Sequence, residues 1–447
     1  MPEACPAYRP RMPHLTPYYQ FVQDHFETFE QVYEQRFQKR YGFWRPYLRE
    51  VIIRYLECGD LQNGFARIRC DRCGTERLLA FSCKRRYFCP SCHQKRVVEF
   101  GEWLCIHVLR PVPHRHFVLS IPKILRRFFL HDRKLLAELS RCGWDALRSF
   151  LKATVPESAG LPGAVIAVQT FGDFPERFHP HCHVLCTDGC FCDRGGFRLA
   201  PKFHLRALEA LFRHKVLRML LARGKINRDL IRMMEGWRHS GFNVYAGPRI
   251  HPRQKRSLEN LAAYLIRSSF SQQRMEYRPE EAEVTYLSKD RKEKKSYDAT
   301  EWLAAMGSHV PQRGQQSVRY YGAYANSTRG RERKREAHDG VPTVLEPDLC
   351  SREVKRNWSR LIRKVYETDP LACPRCEHPM RVVASIENPT VIRRILEHLG
   401  LWLANARSEP RAHSPPVQPV FSDAFFSQLP AFEEDDFSQA PPAHWEF

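Results

Sequence analysis

A chain of 447 residues, 43% of them hydrophobic, has enough apolar mass for two or three domains with their own cores. Lysine and arginine outnumber aspartate and glutamate by 71 to 50, a net charge of +21. The last 47 residues hold 2 basic and 7 acidic side chains, so residues 1–400 carry about +26. That surplus suits a polyanionic partner, because binding phosphates releases condensed counterions; nucleic acid leads and an anionic membrane surface trails. No apolar run approaches the roughly 20 residues that span a bilayer, and MPEACPAYRP lacks the charged-then-apolar order of a secretion signal. A cytoplasmic protein with no membrane partner is expected, in which the 16 cysteines serve as metal ligands or buried thiols rather than disulfides.

Residues 15–57 place Tyr19, Phe21, Phe26, Phe29, Val32 and Phe37 at helical spacing, and a cysteine-rich module follows at 58–107. Next come an apolar run His116–Ile121, a helical stretch near 133–152, and apolar runs Ala164–Phe171 and Cys182–Cys186. Helices with apolar residues three and four apart fill 203–236, and a strand at Phe242–Ile250 leads into a helix over 258–270 with Ser257 as its N-cap. Strands in this order, with helices between and after them, predict an α+β domain around an antiparallel sheet. VTYLSKDRKEKKSY (284–297) reads as two strands around a charged turn, and Val318–Tyr321 as one more. NSTRGRERKREAHDG (326–340) reads as a basic linker or phosphate-binding arm. Asn388, Pro389 and Gly400 bracket a short helix over 390–399, and the Pro-rich acidic tail from about 405 is expected to be disordered.

Three motifs carry chemistry. Cys70 and Cys73, then Cys89 and Cys92 fifteen residues on, can form two tight turns whose thiolates complete a tetrahedral zinc shell; Cys83 and His93 are spare donors expected to lie outside it. Lys84, Arg85 and Arg86 place positive charge beside that metal and are candidates for DNA contact, as is Arg319. In His179-Pro180-His181-Cys182-His183, strand alternation sends His181 and His183 to the same face, near enough to share a metal. If Ala164–Phe171 pairs with that strand, Gln169 comes towards the histidines as a third ligand, with His179 and Asp188 as competitors. In the helix SLENLAAYLIRS, Leu258, Leu261, Ala262 and Leu265 form the buried stripe. Tyr264 lies at its margin, where a ring can be packed with its hydroxyl exposed. Cys373 and Cys376 make half of a further metal site, completed by Cys350, His378 or another subunit's pair, or else a turn with two buried thiols.

Together these segments resemble the rolling-circle transposases of the insertion-sequence ninety-one family and the related insertion-sequence common regions. The resemblance covers FSCKRRYFCPSC, PVPHRHFVLSIPKILR, VQTFGDFPERFHPHCHVLCTDG, WRHSGFNVYAGPRI, RYYGAYAN and CPRCEHPMRVVASIENPTVIRRILEHLGL, about residues 20–400. It implies a bacterial, DNA-associated HUH nuclease, with the metal at His181 and His183 and the nucleophile at Tyr264. Cys182 stands where a larger hydrophobic residue is usual. Ser268 stands where some members carry a second tyrosine, so the chain resembles the single-tyrosine branch.

The implied arrangement is a helical and zinc-binding domain over 15–107, an HUH nuclease domain over 108–325, a basic linker over 326–345, a CxxC and helical region over 346–402, and a tail over 403–447. The implied chemistry is cleavage and rejoining of single-stranded DNA at transposon ends through a 5′-phosphotyrosine. Imidazole ligands alone suggest zinc or another transition metal, whereas the family implies Mg²⁺ or Mn²⁺; manganese satisfies both. Zinc is expected as the structural ion. A plasmid or phage relaxase or replication initiator would share this chemistry, and a non-catalytic zinc-containing DNA-binding regulator would need only the cysteines and the charge.

Overall fold

Thr16, whose hydroxyl accepts from the Tyr19 amide, and Pro17 in the first turn start α1 (Pro17–Arg36). The structure, a computed structural model, describes residues 12–85, 87–155, 160–192, 196–201, 205–338 and 371–402. After α1 come α2 (Gln38–Tyr41) and α3 (Pro46–Leu56). Their buried aromatics Tyr18, Phe21, Phe29, Tyr33 and Tyr55 share one core with Trp302 of α10 (Ala299–His309). That core also takes Tyr277, Tyr286 and Tyr297 from a three-stranded antiparallel sheet of β9 (Met275–Arg278), β10 (Glu283–Leu287) and β11 (Lys294–Asp298). The charged stretch 284–297 is thus the expected strand pair, and residues 275–309 pack on the N-terminal helices.

The central sheet has the order β12-β4-β5-β3-β8 and is antiparallel throughout. Its strands are β3 (His114–Ser120), β4 (Gly163–Phe171), β5 (Phe178–Thr187), β8 (Asn243–Ile250) and β12 (Val318–Gly322). Strand β5 is central, and every residue from His179 to Thr187 is buried. Cys182, Val184 and Cys186 point to the face packed by α6 (Leu135–Thr154) and α7 (Leu205–Ala222). Leu185, with Val165 and Ala167 of β4, points to the opposite face, covered by α4 (Pro90–His107) and α9 (Lys255–Leu265). The α+β sheet expected from the sequence is the one observed.

A third sheet joins distant parts of the chain. Strands β1 (Phe65–Cys70) and β2 (Glu76–Ala80) form a hairpin, and β13 (Met380–Ile386) pairs with β1 from Phe65↔Ile386 to Cys70↔Met380. Asn388 caps α12 (Pro389–His398) through bonds from the Thr390 and Val391 amides, and Ile392 and Leu396 bury against Phe65.

Two local expectations change. Helix α9 begins at Lys255, so Ser257 lies buried inside it and Gln254 occupies the cap position. The basic stretch expected as a linker from 326 instead forms α11 (Asn326–His338), because RERKREA is built of strong helix formers. Residues 339–370 and 403–447, with the C-terminal tail, lie outside the described residues. Among the described residues no helix is long and apolar enough to cross a membrane.

Candidate active site and metal centres

His181 and His183 leave β5 on the face covered by α4 and α9, and their Nε2 atoms lie 3.0 Å apart. The other nitrogen of each ring is held. His181 Nδ1 lies 2.7 Å from its acceptor, the His179 carbonyl, and His183 Nδ1 lies 3.1 Å from Nε2 of His116 on β3. A proton on His181 Nδ1 leaves its Nε2 bare, and the same follows for His183 when it donates to His116. Desolvation disfavours the charged rings: it takes His181 and His116 down to about 3, and it holds His183 well below the ordinary imidazole range, helped by its neighbours His181 and His116. With His183 in that tautomer the two Nε2 lone pairs face each other, and a cation between them relieves the repulsion. Metal–nitrogen bonds of about 2.0–2.1 Å at a right angle put the nitrogens about 3 Å apart, so this donor pair fits a shared divalent ion.

Gln169 is the cross-strand partner of His181. Its Nε2 donates to the carbonyls of Tyr264 and Leu265 at the end of α9, 3.0 Å to each, and its Oε1 accepts from Arg267 Nε at 3.3 Å. The amide therefore lies between the histidines and the tyrosine helix.

Leu258, Leu261, Ala262 and Leu265 bury the expected stripe of α9 and leave Tyr264 half-buried at its margin. The Tyr264 ring meets His183 edge-on at 5.1 Å and His116 at 6.2 Å, with the Arg267 guanidinium 4.8 Å from its centre. Burial raises the phenol above its ordinary range, and Arg267 opposes that rise. Of the competitors, His179 packs against His181 at 5.0 Å, whereas the buried Asp188 carboxylate is taken by Arg115, at 2.9 Å, and by Arg249.

The cysteines divide differently from their spacing. Cys89 and Cys92 join Cys58 and Cys83, while Cys70 and Cys73 join Cys373 and Cys376; within each group every sulfur lies within 4.8 Å of the others. The four-thiolate shell expected from Cys70, Cys73, Cys89 and Cys92 is therefore not formed, and Cys83 lies inside a cluster. In the first group Sγ atoms are 3.6–3.9 Å apart for Cys83–Cys92, Cys58–Cys89 and Cys58–Cys92. In the second they are 3.4–3.5 Å apart for Cys73–Cys373, Cys70–Cys376 and Cys73–Cys376. Zinc–sulfur bonds of about 2.3 Å place tetrahedral ligands about 3.8 Å apart, close to both sets and far from the roughly 2.05 Å of a disulfide.

The second cluster is made by two turns of the same design. The amides of Gly74 and Glu377 donate to the carbonyls of Cys70 and Cys373 at 2.9 Å, and those of Cys70 and Cys373 donate to Thr75 and His378. Gly74 and Glu377 both adopt left-handed backbone, φ 71° and 58°. Cys350, a proposed partner, lies outside the described residues, and the His378 side chain is not part of the cluster.

Lys84, Arg85 and Arg319 line one cavity, while Arg86 lies outside the described residues. Sequence reasoning missed Cys58, His116 and Arg267. His116 shares period-two spacing with His114 in β3, a usable signal; the roles of Cys58 and Arg267 follow only from contacts distant in sequence.

Residues 26–121 match the family described as "Transposase zinc-binding domain", and residues 163–332 match the family described as "Putative transposase". The chain is 24% identical to the transposase for insertion sequence element IS801 of Pseudomonas savastanoi pv. phaseolicola, over 76% of this chain and 85% of that protein. It is 26% identical to "Putative transposase y4qJ" of Sinorhizobium fredii, over 71% and 84% of the two chains. No solved structure matches it. A zinc-binding cysteine domain followed by a sheet-based transposase domain defines the class. In both regions, and along most of its length, the chain is similar to transposases of insertion-sequence elements.

Proposed function

We propose that this transposase cuts and rejoins single-stranded DNA at transposon ends with Tyr264 as the nucleophile. The observation that carries the reading is the meeting of Tyr264 with His183 and its Nε2-facing neighbour His181 in one buried site. A divalent ion held by His181 and His183, Mg²⁺ or Mn²⁺, would supply charge stabilisation at the phosphate oxygens. The Tyr264 oxygen attacks phosphorus, giving a 5′-phosphotyrosine and a free 3′-hydroxyl. Attack of a second 3′-hydroxyl on that linkage releases the tyrosine and joins the strands without ATP. Arg267, over the Tyr264 ring, offsets the burial that disfavours its phenolate. Gln169 ties the end of α9 to β4, the strand paired with the histidine strand, fixing where the nucleophile stands.

Both tetrathiolate groups are proposed as structural zinc sites. Purified protein with Mn²⁺ should become covalently attached to the 3′-labelled half of a cut oligonucleotide, and Tyr264→Phe and His181→Ala should each abolish that adduct. Adduct retained in both variants would overturn the assignment.

A further inference from the structure

A cavity of about 680 Å³ lies between the Cys58/Cys83/Cys89/Cys92 loop, the 310–317 segment and the edge strand β12. That size falls within the range of about 300–1,000 Å³ that holds small organic ligands, and it is too small for duplex DNA. Lys84, Arg85, Arg96 and Arg319 line it and no carboxylate does. Arg85 pairs with Glu50 and donates to the Tyr47 hydroxyl, and Arg319 donates to Gln316, but the Nε atom of each is buried without a hydrogen-bond partner among the described residues. A buried Nε–H left open costs free energy unless a ligand oxygen meets it.

The remaining lining has the chemistry of a nucleobase site. Tyr47 and Tyr87 offer half-buried ring faces, and Gln312, Gln315 and Gln316 bring amides that both donate and accept. The loop that presents the cations is held in left-handed backbone at Lys84, φ 54°, and Tyr87, φ 70°. Such conformations are disfavoured in non-glycine residues and persist where surrounding structure enforces them, here beside a cysteine cluster.

The cavity also connects with the candidate active site. A narrow cleft lined by Gln169, Leu265 and Arg267 shares Tyr87, Ile266, Gln315 and Val318 with it. Gln169 and Arg267 both contact Tyr264. Arg267 Nη2 is likewise buried without a partner.

We infer that this cavity is a single-stranded DNA subsite. It takes one or two unstacked nucleotides flanking the cleaved phosphate, with phosphate oxygens on Arg85 and Arg319 and bases against Tyr47 and Tyr87. This rests on the tyrosine-nuclease reading, and it names where that nuclease reads its strand.

The test uses full-length, zinc-loaded Tyr264→Phe protein without added divalent ion, so that binding is separated from cleavage. Anisotropy of a fluorescein-labelled single strand should show affinity lowered about tenfold or more by Arg319→Ala and by Tyr47→Leu, at fixed salt. Arg223→Ala, which removes an equal charge from the exposed end of α7, should leave it within twofold. An oligonucleotide carrying 5-iodouracil should photocrosslink to peptides containing Tyr47 or Tyr87, a readout that does not depend on whether a variant folds.

Competition by deoxynucleoside monophosphate equal to that of the strand, or by duplex equal to that of single strand, would overturn the subsite. So would unchanged affinity in both pocket variants with crosslinks elsewhere. Loss of binding in the pocket variants beside absence of any Tyr264 adduct in the parent enzyme would keep the subsite and remove the nuclease reading. The reverse pattern would remove the subsite alone.

Discussion

Gln169 holds Tyr264 by its backbone: the side-chain amide of a β4 residue donates to the Tyr264 carbonyl and, equally, to that of Leu265. Both carbonyls lie in the last turn of the helix, and that of Tyr264 also accepts from the Arg267 amide at 3.3 Å, so the Gln169 bonds add to the backbone's own and set the position of the helix end. Gln169→Leu should destabilise the protein by about 1–3 kcal/mol and slow adduct formation by about 100-fold through misplacement of the phenol. Gln169→Glu separates positioning from ligation. It keeps an oxygen for a metal but loses the donors, so the adduct rate should fall while Mn²⁺ affinity holds. An unchanged rate in the glutamate variant would show that the donors are dispensable.

Acid should unfold this protein through its interior histidines. His116, His181 and His309 titrate at about 3 and His114 at about 4 in the folded chain, each lowered chiefly by desolvation; free imidazole titrates near 6.5. Between those values the unfolded chain binds more protons than the folded one, so stability rises with pH there. The contribution is complete above about pH 6.5 and is lost progressively as pH falls towards 3–4. Thermal melts from pH 7.5 to 4.5 should show a falling Tm, and His309→Gln should flatten the slope. A Tm independent of pH over that window would contradict neutral buried rings.

What was legible in the sequence was what repeats locally. Strand alternation in His179–Val184 put His181 and His183 on one face, and the apolar run Ala164–Phe171 paired with it so that Gln169 faces His181. The cysteine grouping was not legible, because spacing identifies turns and not which turns meet. Cys73 and Cys373 come together only because β13 crosses some 300 residues to pair with β1. Cys58, isolated in sequence, gives no periodic signal at all. His116 was hidden inside an apolar strand, and its contact with His183 depends on β3 lying beside β5.

The edge strand that carries Arg319 depends on a glycine. Gly322 sits at φ 60°, and a Cβ there would lie 2.0 Å from the Pro162 carbonyl oxygen and 2.5 Å from the Trp144 ring. Neither the backbone nor the packed indole can yield cheaply. Gly322→Ala should cost about 2–3 kcal/mol, read as a lower urea midpoint, and should weaken single-strand binding along with Arg319. A midpoint equal to the parent's would mean that β12 shifts without penalty.

Zinc content distinguishes the two groupings of cysteines directly. With the observed clusters, the protein should bind two Zn²⁺ per chain by elemental analysis, with all-sulfur coordination in X-ray absorption. Cys70→Ser and Cys89→Ser should each remove one ion, and the double variant both. Under the spacing-based shell the two singles would remove the same ion and the double would lose nothing further. The consequences should also differ by place. Losing the Cys70 site frees β13 and α12 from the β1–β2 hairpin, so Cys376→Ser should raise amide exchange at 380–386. Cys58→Ser should leave that exchange unchanged, since its cluster packs with Phe88 and Tyr55 in the N-terminal core. Equal exchange of 380–386 in both variants would show that the second cluster is not what holds the C-terminal strand.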